Sequence, residues 1–309
     1  MGVLIMNSVS KVYSDIIKEI CKENKINVTF LSDGYVAILE KNNIKKHIIG
    51  YKYDLNYQGL ANIADDKYAT YELLKHYNFN VMEYKLVFKN TNFEDCLKYF
   101  YENNNHLVIK PVNGTCGNQI QQVFNVKELK STINRLLEFN STITLSPFYN
   151  IKNEYRVIIV NKEVKFSYKK ERPIVIGNGI NSIKELLYNF NPIFFDKEKA
   201  FYNKEINENS ILEKDKTLEY GWMFNLSKGA KISLDLENNK EFIEIFAKNI
   251  CKKLDLNLVS IDIVELFDGS FKVIEINSGM MMDNLIKQLT NGKEIAKSIY
   301  TEIILSMLK

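Results

Sequence analysis

The stretch Leu258–Asn277, LVSIDIVELFDGSFKVIEIN, constrains the fold more than any other part of the chain. Two β-branched runs flank Asp268-Gly269, a pair favoured in two-residue type I′ turns, so the stretch predicts a hairpin with strands over Val259–Phe267 and Ser270–Ile276. Counting outward from those two loop residues puts Asp262 opposite Glu275, with Asn277 on the same face two residues further on. Opposed side chains have Cβ atoms roughly 4.5–5.5 Å apart, and like charges so placed weaken a sheet. Something must offset that repulsion. A hard divalent cation held by oxygen ligands would do so, and Mg²⁺ takes one or two carboxylates together with phosphate oxygens. The alternatives are a solvated hairpin face that tolerates both acids, or one carboxyl with a raised pKa.

The remainder offers an ordinary globular setting. Of 309 residues, 46% are hydrophobic and 26% charged, enough for one large or two modest domains and contrary to collagen, disulfide miniproteins or charge-driven disorder. A net charge of +3 argues for neither nucleic acid nor membrane as a partner. Cys21, Cys96, Cys116 and Cys251 form no C-x-x-C, so neither a disulfide framework nor a thiolate metal site is indicated. Met1–Asn7 lacks a signal-peptide pattern and no apolar run reaches about 18 residues, so the chain is expected to be soluble and cytoplasmic. Nearly all the basic residues are lysines; only Arg135, Arg156 and Arg172 are arginines. In so Lys-rich a chain, a retained arginine points to a need for its planar five-donor fork, and Arg156 and Arg172 lie close in sequence.

Periodicity predicts helices over Ser10–Glu23, Asp65–Tyr77, Asn92–Asn103, Val126–Phe139, Phe242–Leu254 and Lys293–Leu308, with another starting over Ser182–Tyr188. Strands are expected at Val28–Leu31, Tyr35–Leu39, His47–Tyr51, Tyr84–Phe88, Leu107–Ile109 and Thr142–Leu145. A hairpin Tyr155–Val160 / Val164–Tyr168 turns at Asn161-Lys162. Asn191–Lys216 has weak periodicity and reads as the most mobile segment. No internal repeat is present.

His106–Ile120, HLVIKPVNGTCGNQI, places Lys110 at a strand end before a loop holding Gly114 and Gly117. Glycines let backbone N–H groups close around phosphate oxygens while a lysine adds a point charge. The segment is neither a P-loop nor G-x-G-x-x-G, and a plain glycine-bearing hairpin loop would look the same. Lys67, in ADDKYATYELL, reads either as a phosphate partner or as a solvated helix lysine. Cys116 has no histidine nearby and reads as inert, and His47, His76 and His106 suggest no triad.

Taken in order, DDKYATYELL (Asp65–Leu74), VIKP with its small-residue loop (Val108–Asn118), NEYRVIIV (Asn153–Val160) and SIDIVELFDGSFKVIEIN (Ser260–Asn277) resemble the ATP-grasp superfamily over roughly residues 60–290. KKERPIVIGNGINSIKELL (Lys169–Leu187) and NLSKGAKISLDL (Asn225–Leu236) are similar to segments of the ATP-grasp part of cyanophycin synthetases and bifunctional glutathione synthetases. Ribosomal-protein S6 glutamate-ligase relatives share the core more loosely. The resemblance implies an α+β fold of two subdomains gripping ATP, here residues 61–150 and 151–309, behind a small α/β unit at residues 1–60.

It also implies roles. Lys67 and Lys110 would contact ATP phosphates under a loop over Asn113, Gly114, Thr115 and Gly117 to Asn118. Pro147, Phe148 and Tyr149 would be the hinge meeting adenine, and Glu154 the ribose-binding acid. Asp262, Glu275 and Asn277 would hold Mg²⁺, with Mn²⁺ as a substitute. Arg156, together with Lys170 or Arg172, would face the transferring phosphate and acyl group, Asn277 also serving catalysis. Counting back from Gly177 selects Lys170, whereas matching the Arg-Pro pair selects Arg172. Arg156, Asn225, Ser227, Lys228 and Gly229 would meet the substrate.

Asn178, Ala230 and the stretch Asn191–Lys199 depart from the family pattern, the last where it carries amino-acid-binding residues. The implied activity is ATP-dependent carboxylate–amine ligation through an acylphosphate, on amino acids or short peptides, by an enzyme that forms homo-oligomers. Modification of a ribosomal precursor peptide, or nucleotide binding with little catalysis, are the alternatives.

Overall fold

Ser10 starts the first helix. Its hydroxyl accepts the Tyr13 amide at 3.1 Å, and α1 (Lys11–Glu23) buries Tyr13, Ile16, Ile17, Ile20 and Cys21 along one face. The computed structural model describes residues 9–112, 114, 117, 119–190 and 206–309. The expectations for residues 1–7, for Asn113, Thr115, Cys116 and Asn118, and for residues 191–199 therefore lie outside the described residues.

An antiparallel sheet of β1 (Asn27–Leu31), β2 (Val36–Lys41), β3 (Ile44–Ile49) and β4 (Lys52–Tyr53) follows, in that order. Next come α2 (Gln58–Asp65) and α3 (Lys67–His76). The helix expected over Asp65–Tyr77 is α3, which starts two residues later because the Asp66 carboxylate caps it by accepting the Tyr68 and Ala69 amides at 2.9 and 2.8 Å, and α2 ahead of it is an element the periodicity does not show. β5 (Lys85–Phe88), α4 (Phe93–Glu102), β6 (Leu107–Pro111), β7 (Gln121–Val123), α5 (Val126–Phe139) and β8 (Thr142–Pro147) form a sheet ordered β5-β8-β6-β7 with its own helices.

β9 (Ile151–Val160) and β10 (Glu163–Glu171) are joined by Asn161 and Lys162 at φ +55° and +63°, the left-handed pair of the expected turn. Then come β11 (Ile174–Ile176), α6 (Ile183–Phe190), β12 (Thr217–Glu219), β13 (Lys231–Ser233), α7 (Lys240–Leu254), β14 (Leu258–Leu266), β15 (Phe271–Asn277), α8 (Asp283–Gln288) and α9 (Gly292–Met307). The largest sheet is antiparallel, ordered β13-β10-β9-β14-β15. β13 covers only Lys169–Glu171 of β10, and β10 bulges between Val164 and Phe166.

The β14–β15 hairpin corrects the sequence reading in one respect and keeps its result. Its loop has three residues, 267–269. The Leu266 amide reaches the Ser270 carbonyl at 2.9 Å, and Gly269 takes φ +82°, the left-handed position that closes such a turn. That alone would shift every pair by one residue. A bulge at Ile274 shifts it back, so Ile263 faces Val273 while Asp262 still faces Glu275 and Ser260 faces Asn277.

Two cores flank the large sheet. On one face α7 buries Ile243, Ala247, Ile250, Cys251 and Leu254 against Tyr155, Val157, Ile159, Ile261, Ile263 and Val273. Residues of α2, α3 and the segment to Tyr84 join that core, whereas Val87 through Leu145 build a separate core with α4 and α5. On the other face α1, β2, β3 and α9 cover only the end of the sheet marked by Ile158, Val160, Tyr168 and Leu258. Among the described residues no helix is long and apolar enough to cross a membrane. Ile250 is fully buried, so Ile250→Ala is expected to cost about 2–5 kcal/mol in urea unfolding. A loss below about 1 kcal/mol would mean that α7 closes over the gap.

Candidate functional site

Where α1 and α9 stop covering the large sheet, the exposed face turns from apolar to charged. Strand alternation and register put Glu154 and Arg156 of β9, Lys170 of β10, Asp262 of β14, and Glu275 and Asn277 of β15 on that face. Asp262 stands between Arg156 on one side and Glu275 on the other. Nε and Nη2 of Arg156 each donate to one Asp262 oxygen at 2.7 Å. Lys170 donates to Asp262 at 2.8 Å and to Glu154 at 2.6 Å. The opposed acids are therefore not a solvated pair: Asp262 is buried, and the protein's own cations offset its charge. Burial acts to raise the Asp262 carboxyl, but Arg156 and Lys170 outweigh it and hold the group well below the usual carboxylate range. Burial pushes the Glu154 carboxyl up, with Lys170 opposing.

Glu275 is countered from another direction. Lys67 opens α3, where the helix dipole disfavours a cation unless an anion is near, and its ammonium lies 3.3 Å from Glu275. The same ammonium donates to the Gly114 carbonyl at 2.6 Å, tying the loop after β6 to this corner. Asp65, the last residue of α2, accepts from the amide and hydroxyl of Ser278 at 2.9 Å, which fixes the start of α3 against the end of β15.

The sheet carrying β6 and β8 adds a second wall. Leu107, Ile109, Ile143 and Leu145 face its own core, so Val108, Lys110, Thr144 and Ser146 share the opposite face. At one end of that face the buried Lys110 donates to the Tyr84 hydroxyl at 2.8 Å. Burial pulls the Lys110 ammonium down to about 8, with Glu275 and Glu154 opposing. At the other end His106 stacks on Phe148 with centroids 4.0 Å apart and planes within 10°. Phe124 lies 4.3 Å from His106, and Trp222 lies 6.2 Å from Phe148. His106 and Lys110 are four residues apart on an extended strand, about 13 Å.

The structure therefore brings together Lys67, Lys110, Glu154, Arg156, Lys170, Asp262 and Glu275, with Asn277 on the same strand face. Pro147 ends β8 and Phe148 lies in the aromatic group, while the Tyr149 hydroxyl accepts the Glu83 amide at 3.3 Å. Arg172 stands elsewhere. It donates to the Ile151 carbonyl at 2.6 Å and lies over the Phe224 ring at 4.5 Å, so Lys170 is the one that enters the charged group. Asn225 accepts the amide and hydroxyl of Ser227, Lys228 is buried beside it, and Gly229 takes φ +98°. Gly117, at φ +67°, lies so close that a Cβ there would be 2.4 Å from Asn225 Nδ2, so the loop after β6 rests on this second loop. Tyr84, His106 and Trp222 were not singled out from the sequence. Trp222 is the lone tryptophan of the chain, the one signal that was available.

Four cations, Lys67, Lys110, Arg156 and Lys170, stand against three carboxylates, Glu154, Asp262 and Glu275. That balance suits a polyanion. The donor set also fits Mg²⁺: Glu275 is partly exposed with one contact at 3.3 Å, Asn277 adds a hard oxygen on the same face, and Asp262 lies opposite. Among the described residues no three His, Cys, Asp or Glu side chains form a metal cage.

No protein-family model matches the chain, and no curated protein matches it. Among solved structures it is similar to a bifunctional glutathione synthetase from Pasteurella multocida, with 18% identity and a TM-score of 0.55 over 94% of this chain and 43% of that one. It is also similar to D-alanine–D-alanine ligase from Bacillus anthracis, with 16% identity and a TM-score of 0.52 over 81% of this chain and 67% of that one. The chain spans less than half the length of the first. At these identities the likeness is one of fold.

Removing Asp262 would leave the half-buried Arg156 facing the buried Lys170 without the carboxylate between them. Asp262→Ala is expected to destabilise the protein by about 3–5 kcal/mol in chemical denaturation. A near-neutral result would show that Arg156 and Lys170 can turn to solvent.

Proposed function

We infer that this chain, which has the ATP-grasp fold, is an ATP-dependent carboxylate–amine ligase acting on amino acids or short peptides. The observation that carries this reading is the pairing of an aromatic end and a cationic end across about 13 Å of one strand. A purine base stacks at Phe148 and His106 with the backbone of residues 147–149 along its edge. The triphosphate reaches Lys67 and Lys110, and Glu154, between hinge and cluster on β9, faces the ribose.

Asp262, Glu275 and Asn277 would hold Mg²⁺, Asp262 by giving up one of its cationic partners. When bound, the ion supplies charge neutralisation at the phosphate oxygens. Arg156 spends Nε and Nη2 on Asp262, which leaves Nη1 for an oxygen of the transferring group. The substrate carboxylate attacks the γ-phosphorus, the bond to the ADP oxygen breaks, and an acylphosphate forms. An amine then attacks the acyl carbon, phosphate leaves and an amide results. Positioning and charge do this work, so no protein nucleophile is needed. Gly114, held by Lys67, and Gly117, resting on Asn225, would lie over the acylphosphate and help to keep water from it.

The test is release of ADP and phosphate from MgATP across pools of amino acids, dipeptides and polyamines, with mass spectrometry of the products. Expected is release that depends on a pool component, a product lighter than its parts by one water, and loss of both in Glu275→Gln. Absence of ATP binding, or full turnover in Glu275→Gln, would overturn the assignment.

Lys110 also makes the site sensitive to pH. An anion beside it favours the ammonium, so a bound triphosphate raises a pKa that burial holds at about 8. Between about 8 and the ordinary lysine value of 10.5, nucleotide binding is expected to take up a proton and to weaken as pH rises. Calorimetry in two buffers of different ionisation enthalpy reads the uptake. Zero uptake in that window would remove Lys110 from the phosphate site.

A further inference from the structure

The bulge at Ile274 leaves a carbonyl beside Glu275, and one side chain uses it. Tyr84 lies between the segment 80–82, whose Met82 amide donates to Val273 O while Asn80 O accepts the Val273 amide (both 2.9 Å), and β5, the first strand of the sheet that carries Lys110. Its ring is buried and meets Tyr71 edge-on at 6.0 Å. Its hydroxyl donates to the Ile274 carbonyl at 3.1 Å and accepts from the Lys110 ammonium at 2.8 Å. The hydroxyl has one proton, and the carbonyl takes it, so only a lone pair can face Lys110. The ammonium has three protons and spends one here, leaving two for a ligand.

We propose that Tyr84 is a positioning residue for triphosphate binding, its hydroxyl fixing the Lys110 ammonium against the strand that carries Glu275 before any nucleotide arrives. This inference rests on the ligase reading above and adds to it the part that sets the span between the two phosphate-facing walls. Lys110 belongs to one sheet and Ile274 to the other. A phenol between them passes the placement of the bulge directly to the lysine. Without the hydroxyl, the lysine loses its neutral acceptor, the Ile274 carbonyl loses its donor, and both losses fall where the γ-phosphate would lie.

Tyr84→Phe keeps the ring, the Tyr71 contact and the cation–π contact with Lys110 at 4.4 Å, so the core is preserved. A hydrogen bond to a charged group is strong enough that the affinity for MgATP is expected to fall about tenfold or more. The affinity for AMP, which places no phosphate at Lys110, should stay within about twofold, whereas a general loosening of the fold would weaken both nucleotides alike. A double-mutant cycle supplies a second readout: in a Lys110→Ala background, Tyr84→Phe should have no further effect on MgATP affinity.

Wild-type binding of MgATP with an unchanged Tyr84→Phe variant would overturn the role of Tyr84 alone. So would equal weakening of MgATP and AMP, or full additivity in the cycle. Failure of the wild type to bind MgATP would overturn the ligase reading, and this inference with it.

Discussion

A carboxylate sits in the middle of a strand with all nine residues buried, and it persists there because three cationic N–H groups meet it. An unpaired Asp262 would be untenable in β14. Paired, it fixes more than itself. The bidentate contact with Arg156 ties β14 to β9, and Lys170 ties both to β10, so three adjacent strands are held in register by side chains as well as by backbone ladders. The resulting patch is over-supplied with cations by one, the condition under which a buried charged group attracts a further anion instead of collapsing into closed pairs.

The large sheet depends on that asymmetry. One face packs on α7 through an apolar core that ends at the buried Glu265, held there by Tyr155 and Asn239. The other is apolar only where α1, β2, β3 and α9 cover it, and charged beyond. The sheet of β5 to β8 repeats the division, with one face on α4 and α5 and the other carrying Lys110. Lys67 at Gly114, Lys110 at Tyr84 and Trp222 near Phe148 are contacts through which the two polar walls communicate. Two of them are single hydrogen bonds and the third is a loose aromatic contact.

Much of this was legible in the sequence, though not always for the stated reason. The facing of Asp262 and Glu275 followed from a two-residue turn that does not exist. A longer turn and a bulge cancel, and β-branched runs alone cannot show either, since a bulge residue such as Ile274 looks like any other strand residue. Asn161-Lys162 was clear because a polar pair breaks two apolar runs. In sequence Asp66 reads as part of the first turn of the helix, whereas the structure makes it the cap, because an acid near a helix start serves equally as either. Which of Lys170 and Arg172 joins the charged group depends on a strand end: Lys170 still lies on the ladder opposite Glu154, and Arg172 has left it. Tyr84, His106 and Trp222 were out of reach for a plain reason. Their partners are tertiary, and no local pattern marks a tyrosine whose hydroxyl will find a bulge 190 residues away.

The short third partner of β10 has a consequence for the molecule in bulk. With β13 pairing only Lys169–Glu171, no described strand pairs with the outer rim of β10 from Glu163 to Tyr168, and an unpaired edge is the template on which sheets of separate molecules fuse. Here the rim is bent by the bulge around Lys165, whose ammonium is held by Glu302 at 2.8 Å, and it begins with Glu163 paired to Lys248. A neighbouring strand that tried to extend the sheet would have to flatten that bend and strip two ion pairs of their partners. A bent edge held by two ion pairs is a poor template for a second sheet.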